Sequence, residues 1–259
     1  MSAALTHDGD AAQLLRECRV FDYGRLMSYA EEHAAQYAAA EPFPHIVIDE
    51  LLPPTLVRHL VERFPDLGER PGQEAVSATM DDGRPAQARK RWISRESAVD
   101  LAIRCMYWEL NSGSFLAFLE RLTGIRALLP DPYLQGGGLH ETHRGGFLQV
   151  HADFNRHREM RLDRRLNLLI YLNPTWGDGW GGELELWSAD MTRCVQRVAP
   201  LGGRCVVFST SETSFHGHPQ PLQCPDGTAR RSLAMYYYVK GGQDGKPDHQ
   251  TLWQALPAS

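Results

Sequence analysis

Gly145-Gly146-Phe147-Leu148-Gln149-Val150-His151-Ala152-Asp153-Phe154 is the stretch whose reading decides the rest of the chain. An apolar run with strand character ends in a histidine and a carboxylate two residues apart. Side chains alternate between the faces of a strand, so His151 and Asp153 can point into one cavity. One imidazole plus one carboxylate is two thirds of a facial triad, which suits non-haem iron(II) and leaves coordination positions open. His-x-Asp alone is common, and a satisfied histidine beside a turn aspartate explains it as well.

A second half lies downstream. Val206-Val207-Phe208 leads to Phe215-His216-Gly217-His218-Pro219, and Ala229-Arg230-Arg231-Ser232-Leu233-Ala234-Met235 opens a further strand. Arg230 and Ser232 share a face of that strand, a fork-shaped cation beside a hydroxyl, suited to gripping a carboxylate. Arg231 faces the other way, with Leu233 and Met235. In this order His-x-Asp, a distant His and Arg-x-Ser resemble the 2-oxoglutarate- and iron(II)-dependent oxygenases, specifically their prolyl-4-hydroxylase-like branch.

The resemblance covers Gly136 to Tyr238 well and Pro44 to Lys240 loosely. It implies that Fe(II) is held by His151, Asp153 and His216. The family pattern selects the first histidine of the Phe215–Pro219 segment; His218, on the same strand face, is the competing ligand and otherwise lies at the mouth. It further implies that 2-oxoglutarate fills two iron positions and O2 the third, with the distal carboxylate on Arg230, assisted by Ser232. The strand Leu166–Asn173 resembles the family strand that follows the first ligand pair, where a tyrosine, here Tyr171, bonds the distal carboxylate. By alternation Asn167 shares the cavity face with Leu169 and Tyr171. Gly181-Gly182 resembles a family turn into the barrel and is read as structural. His140, His143, Trp180 and His218 are the candidate substrate contacts. The glycines at 136–138 invite a phosphate-loop reading, but no Lys-Ser/Thr follows them. Because Asp153 stands where halogenating relatives carry a small residue, the resemblance implies hydroxylation.

Composition bounds the alternatives. With 42% hydrophobic and 23% charged residues, the chain reads as an ordinary soluble globular protein. A net charge of −5 gives no reason to expect nucleic acid. Five scattered cysteines without a Cys-x-x-Cys pair argue for reduced thiols and a cytoplasmic setting, and against a zinc ribbon. The N-terminal residues show no signal-peptide pattern, and no apolar run approaches the ~20 residues that span a bilayer, so no membrane partner is expected.

The expected fold is α+β: a double-stranded β-helix, a jelly-roll or cupin-like barrel, with N-terminal helices packed on one sheet. Residues 1–12 read as a flexible tail and 13–259 as a single oxygenase domain. Within it, 13–130 are helical support with a lid loop at 66–91, and 131–240 form the jelly-roll core. Helices are expected at 11–18, 23–40, from Pro53-Pro54 onward, at 98–111 and at 113–123, with a short strand at 45–49. Barrel strands are expected at 133–135, 138–143, 147–152, 165–172, 182–187, 194–199, 204–208 and 231–239.

The expected activity is hydroxylation of an unactivated C–H bond of a small molecule, an amino acid or secondary metabolite, with 2-oxoglutarate converted to succinate. The rivals are a prolyl-hydroxylase-like enzyme acting on a protein side chain, a cupin-type metal enzyme without 2-oxoglutarate, and a non-catalytic barrel. A homodimer is compatible with all of them.

Overall fold

In a computed structural model, which describes residues 10, 13, 20–67, 78–241 and 247–256, the apolar run before His151 belongs to one long strand at the centre of a barrel. In chain order the elements are α1 (Tyr23–Ala39), β1 (His45–Ile48), α2 (Pro54–Glu62), β2 (Gln87–Ile93), α3 (Leu101–Leu110), α4 (Gly113–Thr123) and β3 (Leu129–Pro130). They continue with β4 (Gly138–Ala152), β5 (Asp163–Tyr171), β6 (Leu184–Trp187), β7 (Cys194–Val198), β8 (Cys205–Ser209), β9 (His216–His218), β10 (Ala229–Val239) and β11 (Leu252–Trp253). The tail at 1–12 and the helix at 11–18 fall almost wholly outside the described residues, as do 68–77 of the expected lid.

Local chemistry sets the helix ends. The Asp22 and Ser112 side chains accept the Arg25 and Phe115 N–H groups at 3.1 and 3.2 Å, capping α1 and α4. Pro54 starts α2, and Gly124, at φ 72°, ends α4 in the left-handed conformation. No described helix is long and apolar enough to cross a membrane.

All strand pairs are antiparallel, in the order β1-β8-β5-β10-β4-β9-β6-β7, with β2 and β11 added to β4 and β3 to β10. The path turns at β4, whose first half pairs with β10 and whose second half pairs with β9. His45 of β1 and Gln196 of β7, on the two terminal strands of the path, meet at 2.7 Å between Nε2 and Oε1. That contact clasps the seam of a nearly closed barrel.

Alternation then sorts the core. Outward residues of β5, β8 and β10 (Leu166, Leu168, Ile170, Val207, Leu233, Met235) join Leu26, Leu56, Ile103 and Phe115 of the helices in one buried cluster. The expected packing of N-terminal helices on one sheet is therefore what the molecule shows. Inward residues Tyr171, Leu184, Leu186, Val206 and Phe208 fill the barrel beneath the site.

Three strand expectations are corrected. The stretches 138–143 and 147–152 form one strand, because Gly145, at φ 76°, and Gly146, pressed on the Ala88 carbonyl, bend the chain without ending its pairing. Residues 133–135 form a turn; the Asp131 carboxylate accepts the N–H groups of Tyr133 and Gln135 at 2.8 and 2.7 Å, which holds Leu134 at φ 50°. The loop expected at 66–91 contains the start of β2, since the basic run Arg89-Lys90-Arg91 is a strand paired with β4. Its alternation was hidden because both faces carry cations.

Candidate metal centre

His151 near the end of β4 and His216 at the start of β9 are register partners, so the sheet itself sets the two imidazoles side by side, with ring centroids 4.6 Å apart. Each ring is locked the same way: His151 Nδ1 donates to the Gln149 carbonyl at 2.8 Å and His216 Nδ1 to the Ser214 carbonyl at 2.9 Å. With the proton held on Nδ1, the Nε2 lone pair is free for a metal. Asp153, just beyond β4, brings its carboxylate to 3.7 Å from His151 Nε2 and 3.5 Å from His216 Nε2. The three donors lie within 4.8 Å of one another, close enough for one ion to bridge them.

Electrostatics keep this set ready. Burial pushes the Asp153 carboxyl up, but the Arg164 guanidinium and the two imidazoles override it and hold it well below the usual carboxylate range. Burial pushes His216 down to about 4 against the opposing pull of Asp153. Near neutral pH the pair is therefore a carboxylate and a neutral imidazole, the forms a divalent ion needs. Two nitrogens and one oxygen gathered on one side suit a ferrous ion with open positions.

Arg164 was not legible as part of the site. It is fully buried on β5, its Nη2 3.0 Å from Asp153 Oδ2, and its Nε and Nη2 donate to Asn167 Oδ1. Asn167 Nδ2 donates to Asp153 Oδ2 at 2.7 Å. Asn167 thus lies in the cavity wall, on the face that alternation gives it, with its amide bonded to the carboxylate and to Arg164.

The donors open on a cavity of about 580 Å³. Arg230 and Ser232 lie in its wall, both buried. Arg230 Nε donates to the Gly182 carbonyl at 2.7 Å and Nη2 donates to the Tyr171 hydroxyl at 3.3 Å, so Tyr171 stands behind the guanidinium. Gly182 makes this possible, since a side chain there would meet Leu222 and Arg230.

His140 and His218 line the same cavity, and burial, with Lys90 and Arg230 nearby, holds both imidazoles well below their ordinary value. Both ring nitrogens of His218 are buried without a hydrogen-bond partner. His143 and Trp180 do not line it. His143 points outward to Glu141, 2.7 Å away, and Trp180 packs edge-on against Trp176. Alternation accounts for His143, and the Gly177–Gly181 turn carries Trp180 aside.

Lys90 and Trp92 of β2, Tyr236 of β10, and Trp253 of β11 complete the wall. The Trp253 ring lies 4.9 Å from that of His151. A basic run and a tryptophan near the C-terminus carry no signal of this in sequence; only their pairing with β4 places them.

Comparison with known proteins agrees with this geometry. Residues 137–238 match the family model described as the 2OG-Fe(II) oxygenase superfamily. Over 79 residues the chain is 30% identical to the mouse (Mus musculus) protein "Prolyl 3-hydroxylase OGFOD1", a match spanning 29% of this chain and 14% of that protein's length. Among solved structures, a Trichoplax adhaerens prolyl hydroxylase in complex with a hypoxia inducible factor peptide fragment aligns over 83% of this chain and 91% of its own, at 16% identity and a TM-score of 0.53. HygX from Streptomyces hygroscopicus, with nickel and 2-oxoglutarate bound, aligns over 85% of this chain and 96% of its own, at 13% identity and a TM-score of 0.54. These two share the fold. The family match runs from the glycine turn before β4 to the end of β10 and encloses all three converging donors, so the part of the chain that holds the candidate metal centre is the part that is similar to the 2OG-Fe(II) oxygenase superfamily.

Proposed function

We propose that this protein is an iron(II)- and 2-oxoglutarate-dependent dioxygenase that hydroxylates an unactivated C–H bond of a small molecule, an amino acid or secondary metabolite. His151, Asp153 and His216 hold the ferrous ion, and Arg230, with Ser232 beside it and Tyr171 behind it, takes the distal carboxylate of 2-oxoglutarate. The carrying observation is the pairing of two converged, Nδ1-locked imidazoles and one carboxylate with a buried guanidinium in the wall of the same cavity. The ion with its cosubstrate and dioxygen supplies the oxidising power, one oxygen atom going to the substrate and one to succinate as carbon dioxide leaves.

The chain's own residues do the positioning. Backbone carbonyls aim the two Nε2 atoms, and Arg164 with Asn167 keeps Asp153 ionised and oriented. The Gly182 carbonyl and the Tyr171 hydroxyl hold Arg230 in the cavity wall. Trp253 and Tyr236 add aromatic surface to the wall of the same cavity, which lowers its affinity for water.

The test is anaerobic titration of 2-oxoglutarate into the Fe(II)-loaded protein. A visible charge-transfer band that is lost in Asp153→Ala supports the reading; no band, or full activity in Asp153→Ala, overturns it. A side chain of a peptide is the competing substrate, favoured by the prolyl hydroxylases to which the chain is similar. Mass spectrometry for a product heavier by one oxygen, in a metabolite pool and in peptides, separates the two.

A further inference from the structure

Two rows of side chains cross the same three strands and differ in one respect. Register places Arg91, Glu141 and Arg231 side by side across β2, β4 and β10, and Lys90, Thr142 and Arg230 in the next row. Neighbouring rows point to opposite faces of a sheet. In the outward row the middle residue is a carboxylate, and Glu141 takes the Arg231 guanidinium at 2.7 Å. In the inward row the middle residue is a threonine, which offers the two flanking cations no counter-ion.

The rest of the cavity does not supply one. Among its described lining residues Asp153 is the only carboxylate, and Arg164 already pairs with it. Lys90, Arg158 and Arg230 also line the wall. Arg158 is occupied at the mouth by Gln250, at 3.1 Å. Lys90 has no hydrogen bond or ion pair among the described residues; its nearest aromatic neighbour is Trp92, 5.8 Å from Nζ to the ring centroid. Beside it lie His140 and His218, the latter with both ring nitrogens unpartnered.

Charge then decides what fits. On the reading above, on which this inference rests, a ferrous ion and Asp153 meet a doubly negative cosubstrate, and Arg164 and Arg230 more than neutralise the remainder. The Lys90 ammonium is surplus, and a surplus cation half-buried in a cavity wall calls for a ligand anion. It is also out of line with the cosubstrate's grip: two strand spacings, roughly 10 Å, separate the Lys90 and Arg230 backbones.

We propose that Lys90 anchors an oxyanion carried by the primary substrate, a carboxylate or phosphate, so that the substrate of this site is an anionic small molecule. His140 and His218 flank that anion, and Trp92 packs beside the ammonium that holds it. Burial and the neighbouring Arg230 push the Lys90 ammonium down to about 8, so it remains largely charged at neutral pH while gaining much from a partner.

The test uses the protein loaded with Mn(II) and 2-oxoglutarate. Sodium acetate and inorganic phosphate are titrated in, with acetamide as the neutral control, and paramagnetic broadening of the acetate carbon or the phosphate phosphorus signal is followed. Wild type should show saturable broadening by at least one of the two anions and none by acetamide. Lys90→Gln should weaken it about tenfold or more, the loss of a charge-assisted contact, and Lys90→Arg should retain it. Affinity for 2-oxoglutarate should stay within about twofold in both variants, since its grip is assigned to Arg230. Whichever anion binds names the group the substrate carries. The proposal is overturned if neither anion binds wild type, if Lys90→Gln leaves their binding unchanged, or if Lys90→Gln weakens 2-oxoglutarate as much as Arg230→Gln does. Wild type that fails to bind 2-oxoglutarate at all refutes the oxygenase reading instead.

Discussion

Arg164 Nη2 and Asp153 Oδ2 lie 3.0 Å apart in the wall of the metal cavity, a fully buried guanidinium holding the one acid of the candidate ligand set. The same guanidinium sits 3.5 Å above the centroid of the Tyr236 ring and is bonded to Asn167, so it has little freedom to drift. A carboxylate ligand oriented in this way should lose affinity for the ion when its partner goes. Arg164→Met is expected to weaken Mn(II) or Fe(II) binding by about 10- to 100-fold, read by calorimetric titration. Unchanged affinity would show that Asp153 needs no help.

His216 and His218 flank a single glycine, and only one is aimed at Asp153. His216→Ala should abolish metal binding, whereas His218→Ala should leave it within about threefold, because His218 lies outside the converging donor set. Metal content after dialysis distinguishes them; the reverse pattern would exchange the ligand assignment.

How much of this was open to the sequence follows from what each residue's role depends on. His151, Asp153 and Arg230 declare themselves through short spacing on strands, where alternation alone sets the face. Arg164 belongs to the start of a strand that reads as apolar from Leu166 onward, and it meets Asp153 only once β4 and β5 have folded on either side of β10. Lys90 lies in a basic run without apolar alternation, and the strand that carries it is defined only by its pairing with β4. His45 and Gln196 carry no motif, and their contact exists only once the barrel has closed.

That seam is testable by itself. Gln196→Ala should lower stability by about 1 kcal/mol through loss of one hydrogen bond, and His45→Ala by somewhat more because the imidazole is also buried against Phe43. Thermal or denaturant unfolding reads both, and the two losses should not add, since they break one contact.

Gly217 sits between the two histidines where an added Cβ would meet the Leu148 and Gln149 carbonyls of β4. A methyl group there must push β9 off β4, and β9 carries His216. Gly217→Ala is therefore expected to cost about 1–3 kcal/mol of stability and to weaken metal binding by roughly tenfold or more, the two effects moving together. A variant that loses stability but binds metal as tightly as wild type would show that His216 is positioned by its Ser214 contact alone.

Lys90 offers a stability test whose sign is fixed by its titration. Burial lowers its ammonium from the ordinary 10.5 to about 8, so between those values the folded protein has released a proton that the unfolded chain still holds. Unfolding then takes up a proton, and stability must rise with pH across that window. Without a bound anion, Lys90→Met should be more stable than wild type at pH 7, and the gap should shrink from pH 8 upward and close near 10.5. Adding the anion that Lys90 binds should narrow the gap at pH 7 as well, because the ammonium then has a partner and its burial no longer opposes folding. Chemical denaturation of both proteins along a pH series, with and without acetate or phosphate, measures this directly. A gap that does not vary with pH would mean that the ammonium is solvated, and with that the case for a desolvated cation waiting in the cavity would fall.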